Sequence, residues 1–171
     1  FWYLYRAKLF GSFFFYPQSI RIQTPNGDQF TYQYNAVGRK IKLTYPNGLT
    51  ASYGYDAAGR LTKLNNGINN YNYNYDLTSN ITSIEGPNGT REYNYDKLDR
   101  LTGVSYPDGE SINYSYDAMN NRISKITADG TTEYNYNALN QLTSAGDISY
   151  EYDAEGKLIK KETSSETFDY E

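Results

Sequence analysis

Tyr55-Asp56-Ala57-Ala58-Gly59-Arg60-Leu61-Thr62 is the stretch that decides the fold. Asp56 leads and Gly59 comes three residues later. An Asp side chain accepts from the backbone N–H two residues on, and a glycine in fourth place is free to turn left-handed, so the segment predicts a type I turn ending in a Gly bulge. Asn35-Ala36-Val37-Gly38 and Asp153-Ala154-Glu155-Gly156 have the same form. Asp76, Asp96 and Asp117 open three further turns in which Ser79, Asp99 and Asn120 take the glycine position, and Asn140 does so after Asn137. Asp and Asn tolerate positive φ; Ser79 has no such latitude.

Working outward, each turn is preceded by a Tyr-x-Tyr pair: Tyr32/Tyr34, Tyr53/Tyr55, Tyr73/Tyr75, Tyr93/Tyr95, Tyr114/Tyr116, Tyr134/Tyr136 and Tyr150/Tyr152. The second tyrosines are 21, 20, 20, 21, 20 and 16 residues apart. These pairs use 14 of the 21 tyrosines, so the odd composition is a product of the repeat. A degenerate eighth copy, Phe168-Asp169-Tyr170-Glu171, stops where its turn should begin, and the first residue is Phe1 rather than Met. Both features lead us to expect a piece of a longer array.

A second set of turns lies midway through each period: Pro25-Asn26-Gly27, Pro46-Asn47-Gly48, Pro87-Asn88-Gly89, Pro107-Asp108-Gly109 and Ala128-Asp129-Gly130. Asn-Gly and Asp-Gly between alternating segments predict hairpins, and the expected turn is type I′, with positive φ at both central residues. Two turns per period make one repeat one hairpin unit. The fold class is therefore all-β: tandem antiparallel β-hairpins of about 20 residues, with almost no helix.

The strand entering each tyrosine pair alternates. Phe30, Tyr32 and Tyr34 share one face, and so do Ile112, Tyr114 and Tyr116, while Gln33, Asn74, Asn94, Ser115, Asn135 and Glu151 face water. In the next strand apolar residues recur three apart: Leu61 and Leu64, Ile81 and Ile84, Leu101 and Val104, Ile123 and Ile126. Strict alternation places these on opposite faces, whereas a bulge at the turn places them on one; the sequence leaves both open. Tyrosine in place of leucine or valine argues against a dry sandwich core, because each buried hydroxyl needs a partner. It fits a single sheet whose aromatic ladder packs along the array and stays partly wet.

Composition excludes whole classes of chemistry. Without histidine or cysteine there is no Ser-His-Asp triad, no cysteine nucleophile, no usual zinc site and no disulfide. A net charge of -4 gives no electrostatic basis for nucleic-acid or anionic-membrane binding. The aromatic-rich segment 1–17 is interrupted by Arg6 and Lys8 and is too short to span a bilayer; it is a divergent repeat or non-native sequence. The array proper is expected over residues 18–171. Asp56, Asp76, Asp96, Asp117 and Asp153 could form a calcium ladder, but Asn35 and Asn137 replace them without breaking the pattern, which favours turn caps. Asp96 with Asp99 reads as solvated turn residues rather than a glycosidase pair. Arg39, Arg60 and Arg100 are expected to pair with neighbouring carboxylates.

The Tyr-Asp-x-x-Gly-Arg-Leu-Thr of Tyr55 to Thr62, echoed in Tyr95 to Thr102, with the downstream Pro-x-Gly of Pro107 to Gly109, resembles the RHS/YD repeat. Such repeats occur in bacterial RHS and wall-associated polymorphic toxins, the BC component of Tc toxins and animal teneurins. The resemblance implies a long spiral of β-hairpins forming a hollow shell, which in toxins encloses a C-terminal effector. Family shells end in a core segment with an Asp-Pro-type signature, and no Asp-Pro dipeptide exists here, so the plug, core segment and toxin are absent from this chain. The resemblance therefore implies a non-catalytic structural segment of a shell, secreted or at the cell surface of a bacterium. Its partners would be the rest of the shell and an enclosed toxin domain, with no cofactor and no metal. The rival from another class is a surface adhesin or glycan-binding module that stacks sugars on exposed tyrosines.

Overall fold

The computed structural model describes residues 18–170, so the expectation for segment 1–17 lies outside the described residues. The described residues contain strands and turns and no helix. The chain divides into two compact units, one ending at Thr90 and one beginning at Arg91.

The first unit contains β1 (Gln18–Gln23), β2 (Gln29–Tyr34), β3 (Lys40–Thr44), β4 (Thr50–Tyr55), β5 (Leu61–Asn65), β6 (Asn70–Tyr75) and β7 (Ile81–Gly86). Each pairs antiparallel with its chain neighbour. β8 (Gly89–Tyr95) carries the division. The second unit continues with β9 (Leu101–Ser105), β10 (Ser111–Tyr116), β11 (Arg122–Thr127), β12 (Gly130–Tyr136), β13 (Leu142–Ala145), β14 (Ile148–Tyr152), β15 (Leu158–Glu162) and β16 (Thr167–Asp169), again paired in sequence. Short turns between successive strands account for the sequential pairing.

The strand ends that meet another strand are set by turn chemistry. In the Asp-led turns the Gly59 N–H donates to the Asp56 carbonyl and the Asp56 N–H to the Arg60 carbonyl, the bonding of a type I turn closed by a bulge. The fourth position takes positive φ throughout: 78° at Gly38, 87° at Gly59 and 85° at Gly156, with Asp99, Asn120 and Asn140 at 59°, 70° and 58°. Ser79 adopts φ 77° despite its side chain.

The proline-led turns differ from expectation. Positive φ falls on the glycines alone, Gly27, Gly48, Gly89, Gly109 and Gly130, and not on the Asn or Asp before them. The Gly48 N–H donates to Tyr45 and the Tyr45 N–H to Leu49, so this loop has the same type I plus bulge form as the Asp-led turns. Proline favours it where present, because Pro46 fixes φ near −65° at the first central position, which type I needs and type I′ forbids, although it is not required. In the Ala128-Asp129 turn, a two-residue loop closed by Thr127 opposite Gly130, Asp129 likewise keeps negative φ.

The spacing of three in the second strand is resolved by a bulge. Tyr53 pairs with Leu64, Gly54 with Lys63 and Tyr55 with Leu61, which leaves Thr62 as the extra residue and puts Leu61 and Leu64 on the tyrosine face. The same shift occurs at Ile41, Thr82, Thr102, Ile123, Thr143 and Ile159. Ile123 and Ile126 therefore do not behave like Leu101 and Val104. The length of the Asp-led turn fixes which residues oppose the tyrosines, and in β11 these are Arg122 and Lys125. Ile123 becomes the bulge residue and Ile126 pairs with Asn113 on the polar face, leaving them 37% and 44% exposed.

Burial is slight, and for apolar residues one-sided. Leu43, Ala51 and Val104 are the buried apolar residues, and all lie on the tyrosine face: Leu43 opposite Tyr32 and Ala51, Val104 opposite Tyr93 and Ile112. Every paired tyrosine is half-buried.

Candidate functional site

The two tyrosines of each pair do different work. The first ones, Tyr32, Tyr53, Tyr73, Tyr93, Tyr114, Tyr134 and Tyr150, lie opposite Leu43, Leu64, Ile84, Val104, Lys125, Ala145 and Lys161. The second ones lie opposite the residue beside the bulge, and five of them reach backward by one repeat. The Tyr55 hydroxyl donates to the Lys40 carbonyl at 2.8 Å, Tyr75 to Leu61 at 2.7 Å and Tyr116 to Leu101 at 2.8 Å. Tyr136 donates to Arg122 at 3.1 Å and Tyr152 to Leu142 at 3.0 Å. Each acceptor is the residue that opposes the preceding repeat's second tyrosine, where the bulge interrupts the ladder. Phenylalanine would fill the same space and leave that carbonyl unpaired.

The Asp side chains cap their own turns. Oδ1 of Asp96 accepts from the Leu98 and Arg100 N–H groups, and Oδ1 of Asp117 from Met119 and Asn121. Oδ1 of Asp76 accepts from Thr78 and Asn80, and Oδ1 of Asp56 and Asp153 accepts from Arg60 and Lys157. Asn35 and Asn137 do the same work with an amide oxygen. Four of these carboxyls are held below their ordinary pKa. For Asp56 the leading cause is the hydrogen bond from the Arg60 side chain, and for Asp117 that from Asn121. For Asp76 and Asp96 desolvation is the largest influence and pushes upward, but the combined hydrogen bonds outweigh it. Burial pushes the Tyr73 and Tyr136 hydroxyls up. Among the described residues no three acidic side chains come together as an ion site. Asp99, with positive φ in the Asp96 turn, serves turn geometry.

After four of these turns the next residue, Arg60, Arg100, Asn121 or Gln141, joins the turn to the next repeat. Arg100 Nε donates to Asp96 Oδ2 at 2.7 Å, while its Nη1 donates forward to the Asp117 carbonyl at 2.9 Å and to Asn120 Oδ1 at 3.0 Å. Its guanidinium carbon lies 4.8 Å from the Tyr116 ring centre. Arg60 repeats the arrangement with Asp56, the Asp76 carbonyl and the Tyr75 ring. Where arginine is replaced, shorter donors keep the reach: Asn121 Nδ2 bonds Asp117 Oδ2 and Asn140 Oδ1, and Gln141 Nε2 bonds the Gly156 carbonyl. Arg39 lies over the Tyr55 ring and against Gly59 of the next turn. The Arg–Asp pairing at Arg60 and Arg100 is as the sequence suggests, but Arg39 follows a turn led by the uncharged Asn35 and lies on a ring rather than in an ion pair; the forward bond is not anticipated there. Its signal is the recurrence of a long donor directly after the glycine position.

The site is an arrangement of side chains directed at neighbouring repeats. Its chemistry is stitching: a hydroxyl reaching back one repeat and a guanidinium or amide reaching forward one. Several rings of the ladder carry cations: Tyr53 lies under Lys40 and Tyr134 under Arg122 at 4.3 Å each, with Arg60 over Tyr75 and Arg100 over Tyr116.

Hairpin repeats of this construction define a class of structural array, and comparison with known proteins places the chain within it. The family model described as teneurin YD-shell matches residues 77–171, and that described as RHS repeat matches residues 20–50 and 41–67. The chain belongs to the YD-shell family. Its fold is shared by the crystal structure of TcdB2-TccC3-TEV, with TM-score 0.67 and 19% identity over 89% of this chain and 11% of that one. The crystal structure of TcdB2-TccC3-Cdc42 gives 0.58 and 14% over 84% of this chain and 10% of that one. The Tc holotoxin pore of Photorhabdus luminescens, carrying a TccC3 mutation, gives 0.53 and 14% over 82% and 11%. The chain thus spans about a tenth of the length of the structures it matches. A search of curated proteins finds no match. Among the described residues no helix is long and apolar enough to cross a membrane.

Proposed function

We propose that the chain is a non-catalytic structural segment of an RHS/YD shell which, in a secreted or cell-surface bacterial protein, surrounds a C-terminal toxin domain. The observation that carries this reading is the repeat-to-repeat stitching. Five of the second tyrosines reach back to the preceding repeat, and Arg60 and Arg100 reach forward to the following one. Such an array gains stability by extension, because each added hairpin completes the bonds of the one before it. The likeness to Tc toxin structures supports the shell, and the tenfold greater length of those chains supports a closed form built from many more repeats.

The test is made on the full-length parent protein. Electron microscopy should show a hollow closed particle, and limited proteolysis should leave the domain C-terminal to the repeats intact until the shell is opened by denaturant. Rapid digestion of that domain in the native particle, or an open particle, overturns the reading.

A further inference from the structure

Charge is sorted between the two faces of the second unit. Pairing fixes which strand residues share a face. Glu92, Glu133, Glu151, Glu162 and Asp169 all pair with residues of the face opposite the tyrosines. The cation on that face, Lys160, is already matched, with Nζ 3.5 Å from Glu151 and 3.4 Å from Glu162. Arg122, Lys125 and Lys161, by contrast, lie on the tyrosine face, opposite Tyr116, Tyr114 and Tyr150. No strand carboxylate of the unit shares that face with them.

These cations are held by rings instead of anions. The Arg122 guanidinium lies between Tyr134 at 4.3 Å and Tyr114 at 5.5 Å, and its covered Nε has no hydrogen-bond partner. Lys161 Nζ is 5.6 Å from the Phe168 ring centre. A guanidinium stacked on aromatic faces is oriented but keeps its capacity for a carboxylate, since the ring satisfies none of its N–H donors. Around the cations the surface is phenolic and aliphatic and only half-buried.

We propose that the tyrosine face of residues 91–170 is a docking surface for an extended acidic polypeptide whose carboxylates alternate with apolar residues. Charge complementarity selects the acid, and the half-exposed rings select apolar side chains between the acids. The spacing suits a polypeptide. Lys125 on β11 and Lys161 on β15 are four inter-strand steps apart, roughly 19 Å, which an extended chain crosses in about six residues. Three cations over that distance are too sparse for a nucleic acid, whose charges recur every ~1.7 Å and would also meet the field of the acidic opposite face. The proposal deepens the shell reading, because it states the chemistry of a cargo this face would meet. Its test needs no closed shell.

The chain is titrated, by fluorescence anisotropy at low salt, into a fluorescein-labelled peptide of about twelve residues with glutamates some six residues apart and leucines between. Saturable binding that weakens with salt is expected. The combined variant Arg122→Gln, Lys125→Gln, Lys161→Gln should lose at least tenfold in affinity, while Glu133→Gln with Glu151→Gln on the other face should bind no more weakly than the parent. Far-UV circular dichroism checks that each variant is folded; if the triple variant is not, Lys125→Gln alone should still lose a few-fold. Undiminished binding by the cation variants overturns the proposal. So does tighter binding of an oligo-dT of matched charge, or self-association of the chain that these variants abolish, which would make a second copy the occupant. Failure of peptide binding leaves the particle test of the shell untouched.

Discussion

Tyr116→Phe removes one oxygen and keeps the ring, so it isolates the backward hydroxyl bond. In the structure that oxygen donates to the Leu101 carbonyl at 2.8 Å, beside the bulge at Thr102 where the ladder is already interrupted. Losing a neutral hydrogen bond costs roughly 0.5–1.5 kcal/mol, and an under-hydrated carbonyl left unpaired raises this toward about 2 kcal/mol. The ring's contact with Arg100 is unchanged by the substitution. Tyr114→Phe is the matched control, since among the described residues Tyr114 shows no equivalent hydroxyl bond to main chain. With a urea m-value of about 2 kcal/mol/M, Tyr116→Phe should lower the unfolding midpoint by roughly 0.25–1 M, while Tyr114→Phe shifts it by less than about 0.25 M. Equal shifts for the two variants would refute the claim that the second tyrosine of each pair is selected for its hydroxyl.

Ser79→Gly should stabilise the chain by about 1 kcal/mol, read as a higher melting temperature, because Ser79 sits at φ 77° where a side chain is strained; an unchanged or lower value refutes this. Gly67→Ala should be more harmful than Gly48→Ala. Both have positive φ, but a Cβ on Gly67 would stand 2.8 Å from the Thr50 carbonyl oxygen, whereas one on Gly48 meets nothing; thermal melts in which the two variants coincide count against the close approach. Acid should weaken the fold through the turn caps. The Asp117 carboxyl is held below its ordinary 3.8 by the Asn121 hydrogen bond, so its contribution is complete above that value and is lost as pH falls through the lower folded value. Asp117→Asn should therefore melt below the parent at neutral pH and converge with it in strong acid, and a gap independent of pH contradicts the assignment.

Turn residues make most of the fold legible in the sequence. Gly59 and Asp56 encode their turn by local chemistry alone, and the same holds wherever the pattern recurs. In the proline-led turns Asn-Gly misleads when taken as a dipeptide, because Pro46 imposes its φ restriction one residue earlier. Ile123 and Ile126 mislead for a related reason. Their apolarity suggests a match to Leu101 and Val104, but the bulge is positioned by turn length, and Arg122 with Lys125 takes the tyrosine face. The distinct roles of Tyr114 and Tyr116 and the forward reach of Arg100 are not readable, because each depends on a carbonyl about one repeat away that no side-chain pattern records.

The acceptors of the stitching bonds are mostly main-chain carbonyls: Lys40, Leu61, Leu101, Arg122 and Leu142 for the tyrosines, Asp76 and Asp117 for the arginines. A main-chain acceptor is the same atom whatever residue bears it, as the chemically unlike Lys40, Leu101 and Arg122 illustrate. Each repeat therefore asks of its neighbour only a backbone path and not a sequence. Units become interchangeable parts: one can be duplicated, deleted or replaced by a divergent copy without any matching change next door. Architectures alike at 14–19% identity are the expected product of such a joint.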